Sequence, residues 1–267
     1  MQTLMLSGRP VAFQERGHGR PLLLLHANPG DHRDYDAVAA ELARDHRVIA
    51  LDWPGYGDSP PPKPASTASA MLFADVAIDF ADELSLRDAV VIGNSVGGYA
   101  ALRLALARPD VVGALVLVDS GGFTRLDALG RAFCRLKGTE WFSRAIATAF
   151  ARHYLRVDNE HTRAIVARTD AGRRLASRVS VDAAVWRSFL DPRHDLREAA
   201  RQLSTPTLLV WGRFDPVLKL AADGRCAENA IEHAQLVTMD TGHMPFAEDP
   251  AGFLGAVRAF LAAPRPS

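Results

Sequence analysis

The sequence predicts an α/β protein with a doubly wound, mostly parallel sheet of eight strands and an inserted helical segment. Three observations predict this class. Short apolar runs alternate with helix-length amphipathic stretches, as in repeated βαβ units. The apolar runs show no regular alternation of apolar and polar residues, so we expect strands that are buried on both faces. One long interval carries helical patterns and no strand pattern.

The eight strands are predicted from one hairpin and six apolar runs. Thr3–Leu6 and Pro10–Glu15 flank the turn signal Ser7-Gly8, which is typical of a β-hairpin. The six runs are Leu22–Leu25, Val48–Leu51, Ala89–Ile92, Ala114–Val118, Thr207–Trp211 and Gln235–Met239. None of them reaches the ~18 residues of a membrane span, so we expect no membrane association.

Helix ends are marked by capping residues and prolines. Thr67 is a predicted N-cap for a helix that runs to about Leu84. Pro109 ends a helix that begins just after Ser95. The pair Asp249-Pro250 predicts the start of the last helix, which runs to about residue 261.

The interval between Asp119 and Thr207 is far longer than the dozen or so residues of a simple crossover. Its amphipathic pattern predicts helices near 125–137, 140–155, 160–170, 176–190 and 194–202. We therefore divide the chain into a core of residues 1–121 and 205–267 and a helical cap of residues 122–204.

The composition is that of an ordinary globular protein of 267 residues, with 48% hydrophobic and 23% charged residues. Intrinsic disorder is excluded, since it needs few apolar residues and a large net charge. Lys and Arg together number 31, as do Asp and Glu, so we expect neither nucleic acid nor a membrane surface as a partner. Lys occurs only at positions 63, 137 and 219, which we interpret as a compositional bias toward Arg.

The expected compartment is the cytoplasm. Cys134 and Cys226 have no partner motif, and lone thiols are typical of a reducing environment. The first ten residues lack the basic start and apolar run of a secretory signal. The oligomeric state cannot be deduced from these patterns.

The motif Gly93-Asn-Ser95-Val-Gly97 lies between a predicted buried strand and a predicted helix. In that context Gly-x-Ser-x-Gly forms a sharp turn with the serine at its tip, at the N-terminus of the helix. Ser95 is therefore the candidate nucleophile. A serine hydroxyl is a weak nucleophile at neutral pH and needs a base, which in turn needs an orienting acid.

His243 and Asp215 are the candidate base and acid. His243 lies in a loop between the last predicted strand and the final helix. Asp215 follows the strand that ends at Trp211, at the sheet edge where open α/β sheets place their sites. Asp119, which ends an earlier strand, is the rival candidate for the acid.

These motifs resemble those of the α/β-hydrolase family over essentially the whole chain. Ser95, Asp215 and His243 follow that family's order of nucleophile, acid and histidine. Residues 52–59 resemble the family's turn before the elbow, and 242–250 resemble its histidine loop. The predicted cap falls where the family places its lid. The resemblance implies the α/β-hydrolase fold and acyl-transfer chemistry on Ser95.

The resemblance also implies an oxyanion hole formed by the backbone N–H groups of Asn28 and Val96. The family's His-Gly-x-Pro loop corresponds here to His26-Ala27-Asn28-Pro29, with Ala27 in place of a glycine. A glycine with positive φ would not be replaced by alanine without strain. Asn28 is also similar to the halide-binding residue of haloalkane dehalogenases. Those enzymes and the epoxide hydrolases use an aspartate nucleophile, and this chain has Ser95.

We expect no metal and no cofactor, because the sequence lacks a His-Glu-x-x-His motif, paired cysteines and a dinucleotide fingerprint. The expected partner is a small-molecule substrate. Residues that we expect to contact it, in the cap and beside the acid and the histidine, are Phe123, Trp186, Phe214 and Met244.

The function predicted first is cleavage of a small carboxylic ester or related acyl compound. The alternative is carbon–carbon bond hydrolysis, because the elbow is similar to the Gly-Asn-Ser-Met-Gly-Gly of meta-cleavage-product hydrolases. Those enzymes usually carry an aromatic residue after the histidine, where this chain has Met244. A third hypothesis is a hydrolase-fold ligand receptor, of which plant hormone receptors are examples.

Overall fold

A computed structural model describes residues 1–263 of the chain. Its strands are Gln2–Leu6 (β1), Arg9–Arg16 (β2), Arg20–Leu25 (β3), His46–Leu51 (β4), Ala89–Ser95 (β5), Val112–Ser120 (β6), Thr207–Gly212 (β7) and Gln235–Met239 (β8). Its α-helices are Asp36–Leu42 (α1), Ala70–Glu83 (α2), Val96–Ala107 (α3), Ala128–Lys137 (α4), Glu140–Tyr154 (α5), Glu160–Gly172 (α6), Ala176–Ser188 (α7), Arg197–Ala200 (α8), Arg225–Ala230 (α9), Pro245–Glu248 (α10) and Pro250–Ala262 (α11).

The eight strands form one sheet in the order β1-β2-β4-β3-β5-β6-β7-β8. β2 is antiparallel to β1 and β4, and the remaining neighbours are parallel. The predicted hairpin turn is present, with Ser7 and Gly8 both at positive φ. The prediction of a mostly parallel, doubly wound sheet is therefore confirmed.

Apolar side chains cover both faces of the sheet, as the unbroken apolar runs require. On one face, Phe73 and Phe80 of α2 and Leu102 of α3 are fully buried in one core cluster. On the other face, Val38 of α1 and Val257 of α11 belong to a second cluster and are also fully buried. Because β3 to β8 are parallel, their carboxyl ends all lie at one edge of the sheet.

Most helix ends match the predicted positions. α3 ends two residues before Pro109, and Asp249 caps α11 by accepting a hydrogen bond from the Gly252 N–H. The predicted cap Thr67 is wrong. That residue ends a short 3₁₀ turn, and the hydroxyl of Ser69 caps α2 instead by accepting from the Leu72 N–H.

Five α-helices, α4 to α8, lie between β6 and β7, and we call them the helical segment. The predicted helix at 194–202 is reduced to the single turn Arg197–Ala200, because Asp195 is extended and its carboxylate accepts from the Arg197 N–H. Among the helices of residues 1–263, none combines the length and the apolar character that crossing a membrane requires.

Candidate active site

Ser95 stands at a sharp turn between β5 and α3. Its φ of +56° and ψ of −117° form a combination that a residue with a side chain rarely adopts. The turn is possible because glycines stand two residues before and two residues after Ser95. A Cβ on Gly97 would lie 2.1 Å from the Leu25 carbonyl oxygen, and a Cβ on Gly93 would lie 2.3 Å from the Gly97 carbonyl oxygen. The motif thus raises the Ser95 hydroxyl at the N-terminus of α3.

His243 and Asp215 are in direct contact. His243 Nδ1 lies 2.6 Å from Asp215 Oδ2, and the second carboxylate oxygen accepts from the Val217 N–H at 2.7 Å. His243 is 5% exposed and Asp215 is 4% exposed. A carboxylate on Nδ1 fixes the tautomer in which this nitrogen carries the proton, so that Nε2 is free to accept one.

Asp119 lies behind this pair. Its Oδ1 accepts from the Gly212 N–H at 3.0 Å, whereas its Oδ2 is buried without a hydrogen-bond partner among residues 1–263. An oxygen of Asp119, one of Asp215 and a nitrogen of His243 lie within 4.8 Å of one another. Burial and the neighbouring Asp215 raise the pKa of Asp119 well above its usual value. We therefore expect Asp119 to be neutral at neutral pH.

Among residues 1–263, two groups of side chains have the composition of a metal site. The first is Asp119, Asp215 and His243, and the second combines residues 31, 32 and 52. In the first group, Asp215 and His243 use their facing atoms in contact with each other. The geometry of Asp215 and His243 is that of an acid–histidine pair.

Two side chains that sequence reasoning missed hold the histidine loop in place. The Asn94 amide donates to the carbonyl oxygens of Val118 and His243, both at 3.0 Å, and so connects elbow, sheet and histidine. The buried Glu248 accepts from the backbone N–H groups of Arg156, Val157, Gly242 and Met244. Both residues lie within motifs quoted from the sequence, but their partners are distant along the chain.

The loop that carries Asn28 is supported by a neutral histidine. His26 Nδ1 lies 2.7 Å from the Ala27 carbonyl oxygen, and its Nε2 accepts from the Trp53 N–H at 3.0 Å. Burial lowers the pKa of His26 to about 4, which keeps this pattern of one donor and one acceptor at neutral pH. Ala27 is not among the residues with positive φ, so alanine fits here without strain.

The side chain of Asn28 is held at both ends. Its amide nitrogen donates to Asp182 Oδ1 of α7 at 3.0 Å, and its oxygen accepts from the Tyr56 hydroxyl. The similarity to a halide-binding asparagine therefore ends at the residue type, because this carboxamide is committed to protein partners.

A cavity of about 1520 Å³ brings the candidate site together. Asn28, Ser95, Val96 and His243 all line it. Asp215 does not line it, since it lies on the far side of the His243 ring that it contacts.

Of the four expected substrate contacts, Phe123 and Trp186 line this cavity, whereas Phe214 and Met244 do not. Phe214 is 47% exposed and lies against the guanidinium of Arg156. Met244 is fully buried in the core cluster that includes α11. Following a strand or a catalytic residue in sequence does not fix the direction of a side chain, and neither residue is retained as a contact.

Aromatic rings of the helical segment extend the wall of the cavity from the histidine outward. Tyr154 meets the His243 ring edge-on at 5.4 Å between centroids, and Phe150 lies 5.7 Å from Tyr154. Trp186 continues the row at 5.6 Å from Phe150, and Phe189 follows at 5.2 Å. This wall favours an apolar substrate group beside the histidine.

Comparison with known families agrees with the observed fold. The family model described as alpha/beta hydrolase fold matches residues 20–250. The chain belongs to the α/β-hydrolase fold family. It is also similar to individual hydrolases of this family over nearly its full length.

Three similar proteins illustrate the range of activities in the family. A 2-hydroxymuconate semialdehyde hydrolase of a Pseudomonas species is 30% identical over 97% of this chain and 93% of its own. A pimeloyl-[acyl-carrier protein] methyl ester esterase of Aeromonas salmonicida is 26% identical over 94% of this chain and 99% of its own. The solved structure of a thermophilic esterase from Thermogutta terrifontis superimposes with a TM-score of 0.79 at 25% identity, covering 97% of both chains.

Proposed function

We propose that this α/β-hydrolase is a serine hydrolase that cleaves a small carboxylic ester or a related acyl compound. The observation that carries the proposal is the buried 2.6 Å contact between His243 and Asp215, on the wall of the cavity that Ser95 also lines. With its Nδ1 proton directed at Asp215, the ring can take the Ser95 proton on Nε2. The carboxylate then stabilises the resulting imidazolium.

The reaction proceeds in two halves. Ser95 attacks the carbonyl carbon, and the negative oxygen accepts from the backbone N–H groups of Asn28 and Val96. His243 returns its proton to the leaving alcohol, which departs and leaves an acyl group on Ser95. Water then gives a proton to His243, attacks the acyl carbon and releases the acid.

The helical segment is the proposed cap, with residues 122–204 as its extent. It contributes the aromatic wall, in which Trp186 is 6% exposed. Phe123, at the start of the insertion, also lines the cavity and is 1% exposed. A wall of this kind excludes water from the acyl group and strengthens the electrostatic interactions at the site. The part of the cavity beside this wall therefore suits an apolar acyl group.

Carbon–carbon bond hydrolysis is the second candidate. The relative named 2-hydroxymuconate semialdehyde hydrolase favours it, at 30% identity, as does the Gly-Asn-Ser-Val-Gly-Gly elbow. Both reactions use the same Ser95 and His243, so the discriminating observation is the substrate. Turnover of a p-nitrophenyl ester supports the first candidate, and turnover limited to a coloured 2-hydroxy-6-oxo-dienoic acid supports the second.

Ser95→Ala tests the nucleophile. We expect turnover of p-nitrophenyl acetate to be abolished, with thermal stability retained, because the change removes one hydroxyl from the surface of a cavity. A fluorophosphonate should label the wild-type protein at Ser95 alone by mass spectrometry. Ser177→Ala, on the exposed face of α7, is the matched control and should behave as wild type.

Residual activity of Ser95→Ala within tenfold of wild type would remove Ser95 from the mechanism, since members of a triad contribute far more than that. An adduct at another residue would do the same. Specific binding of an acyl compound without turnover by the wild-type protein would favour a receptor instead.

A further inference from the structure

A buried lysine lies at the centre of the helical segment. Lys137, the last residue of α4, is only 1% exposed. Its Nζ lies 2.5 Å from Asp182 Oδ2 and 2.7 Å from the Ser143 hydroxyl oxygen. The Ser143 hydroxyl donates to the same Asp182 oxygen. Desolvating a charged pair is costly, so a pair of this kind needs a role beyond filling space.

The second carboxylate oxygen of Asp182 forms a hydrogen bond with Asn28, a residue of the candidate active site. Asp182 Oδ1 accepts from the Asn28 amide nitrogen at 3.0 Å, and the Asn28 oxygen accepts from the Tyr56 hydroxyl. A continuous chain of hydrogen bonds therefore runs from Lys137 through Asp182 to Asn28. At its end is the residue whose backbone N–H is a proposed oxyanion donor.

Neighbouring contacts hold the same loop against the helical segment. Arg178 of α7 donates to the Gly30 carbonyl oxygen at 3.1 Å and lies 4.7 Å over the Tyr56 ring. Arg168 of α6 forms an ion pair with the buried Asp34 at 2.8 Å. Because these contacts fix the loop as a whole, the bond between Asp182 and Asn28 has the narrower task of orienting one residue.

We propose that Lys137 and Asp182 are positioning residues for the oxyanion hole. Lys137 holds the Asp182 carboxylate, and Asp182 holds the Asn28 carboxamide, which sets the direction of the Asn28 backbone N–H. The inference rests on the proposed function, since it assigns these residues to the hole that the serine mechanism uses. Donors of an oxyanion hole act only when they are placed within about 2.7–3.1 Å of the oxyanion. The arrangement of the helical segment thereby sets the stabilisation of the transition state.

Two double variants separate this role from a merely structural one. Single changes leave a buried charge without its partner, so both variants remove the two charges together. Lys137→Met with Asp182→Asn retains a carboxamide oxygen that accepts from Asn28 and an amide group that donates to Ser143. Lys137→Met with Asp182→Leu has a similar volume and no acceptor. The difference between the two variants reports the hydrogen bond to Asn28.

We expect the leucine variant to have a kcat for p-nitrophenyl acetate about 10–100-fold below that of the asparagine variant, with KM within about threefold. The rate of fluorophosphonate labelling at Ser95 should fall in parallel, because the phosphonyl oxygen occupies the same hole. Thermal unfolding of both variants shows whether each is folded at the assay temperature. Equal kcat and labelling rates in two folded variants would overturn the proposal, as would a difference confined to KM.

If the leucine variant does not fold, Tyr56→Phe provides a second test, because Tyr56 binds the oxygen of the Asn28 carboxamide whereas Asp182 binds its nitrogen. It removes only the hydroxyl that Asn28 accepts from, and we expect kcat and labelling to fall at least fivefold relative to wild type. Wild-type rates in Tyr56→Phe would overturn the premise of the proposal, that the hydrogen bonds of the Asn28 carboxamide set the direction of the Asn28 N–H. A wild-type protein that fluorophosphonates do not label refutes the proposed function itself, which is a different result from labelling that ignores these substitutions.

Discussion

Asp215→Asn should lower kcat by roughly 10³–10⁴ while the fold is retained, a loss of the size known for this change in the protease triad. Both carboxylate oxygens of Asp215 accept hydrogen bonds, one from His243 Nδ1 at 2.6 Å and one from the Val217 N–H at 2.7 Å. An asparagine has one acceptor and one donor in their place. If its oxygen stays on Val217, its amide group faces Nδ1 and favours the tautomer that is protonated at Nε2.

That tautomer cannot take a proton from Ser95, and this is the source of the expected loss. A factor of 10³–10⁴ corresponds to about 4–5 kcal/mol of transition-state stabilisation. Stability should change far less, because the asparagine has the same volume and keeps one of the two hydrogen bonds.

Asp119→Asn is the matched control, since it makes the same chemical change a few ångströms away. Burial and Asp215 raise the pKa of Asp119, so its carboxyl group is expected to be neutral at neutral pH. An asparagine is nearly isosteric with that neutral acid and keeps an oxygen for the Gly212 N–H. We therefore expect a loss of kcat below about tenfold.

The assay is kcat for p-nitrophenyl acetate at pH 7.5 in wild type and both variants, with thermal unfolding measured alongside. A larger loss in Asp119→Asn than in Asp215→Asn would transfer the acid to Asp119. Small losses in both would refute the triad.

Two further predictions concern the supports of the site. Gly97→Ala should reduce activity at least 100-fold and lower the unfolding temperature, because its Cβ would lie 2.1 Å from the Leu25 carbonyl oxygen; Gly255→Ala, with nothing within 4 Å of its Cβ, should be neutral or stabilising. An active Gly97→Ala would contradict the tight elbow. Burial lowers the pKa of His26 to about 4, below the ordinary value of about 6.5 that it has in the unfolded chain. The stability that the neutral form contributes is therefore present above about pH 6.5 and is lost as the pH falls from about 6.5 to about 4. Between pH 7 and 5 this residue should account for about 2 kcal/mol of lost unfolding free energy, and urea unfolding of His26→Gln should lack that part of the loss.

The central strands of the sheet could be predicted from the sequence because they are buried on both faces. Such strands carry unbroken apolar runs, and all six runs lie within observed strands. The start of a helix is harder to predict where two polar residues can both serve as its N-cap. Thr67 and Ser69 are both acceptable caps, and the structure uses Ser69, whose hydroxyl accepts from the Leu72 N–H.

The candidate triad was recognisable because each member follows a strand, so the sheet itself brings Ser95, Asp215 and His243 to one edge. The oxyanion loop and its supports were not recognisable in this way. Asn28 and Asp182 are 154 positions apart, and no local pattern connects an asparagine in a loop with an aspartate inside a helix. The sequence shows Lys137 only as one of three scattered lysines. The structure distinguishes it, because Lys137 is buried whereas Lys63 and Lys219 are exposed.

The contacts between the helical segment and the core bear on how a substrate enters. Lifting the segment would break the Asn28–Asp182 bond and the bond from the His243 N–H to the Tyr154 carbonyl oxygen. It would also separate Glu248 from the backbone N–H groups of Arg156 and Val157.

At a net of roughly 0.5–1.5 kcal/mol for each hydrogen bond exchanged for water, breaking these four bonds costs about 2–6 kcal/mol, a large part of the ~5–15 kcal/mol stability of a typical domain. The cavity also reaches the exposed turn of α4, where Leu129 is 78% exposed. Entry beside α4 breaks none of those bonds. Access past α4 is therefore a route that leaves these contacts between the helical segment and the core in place.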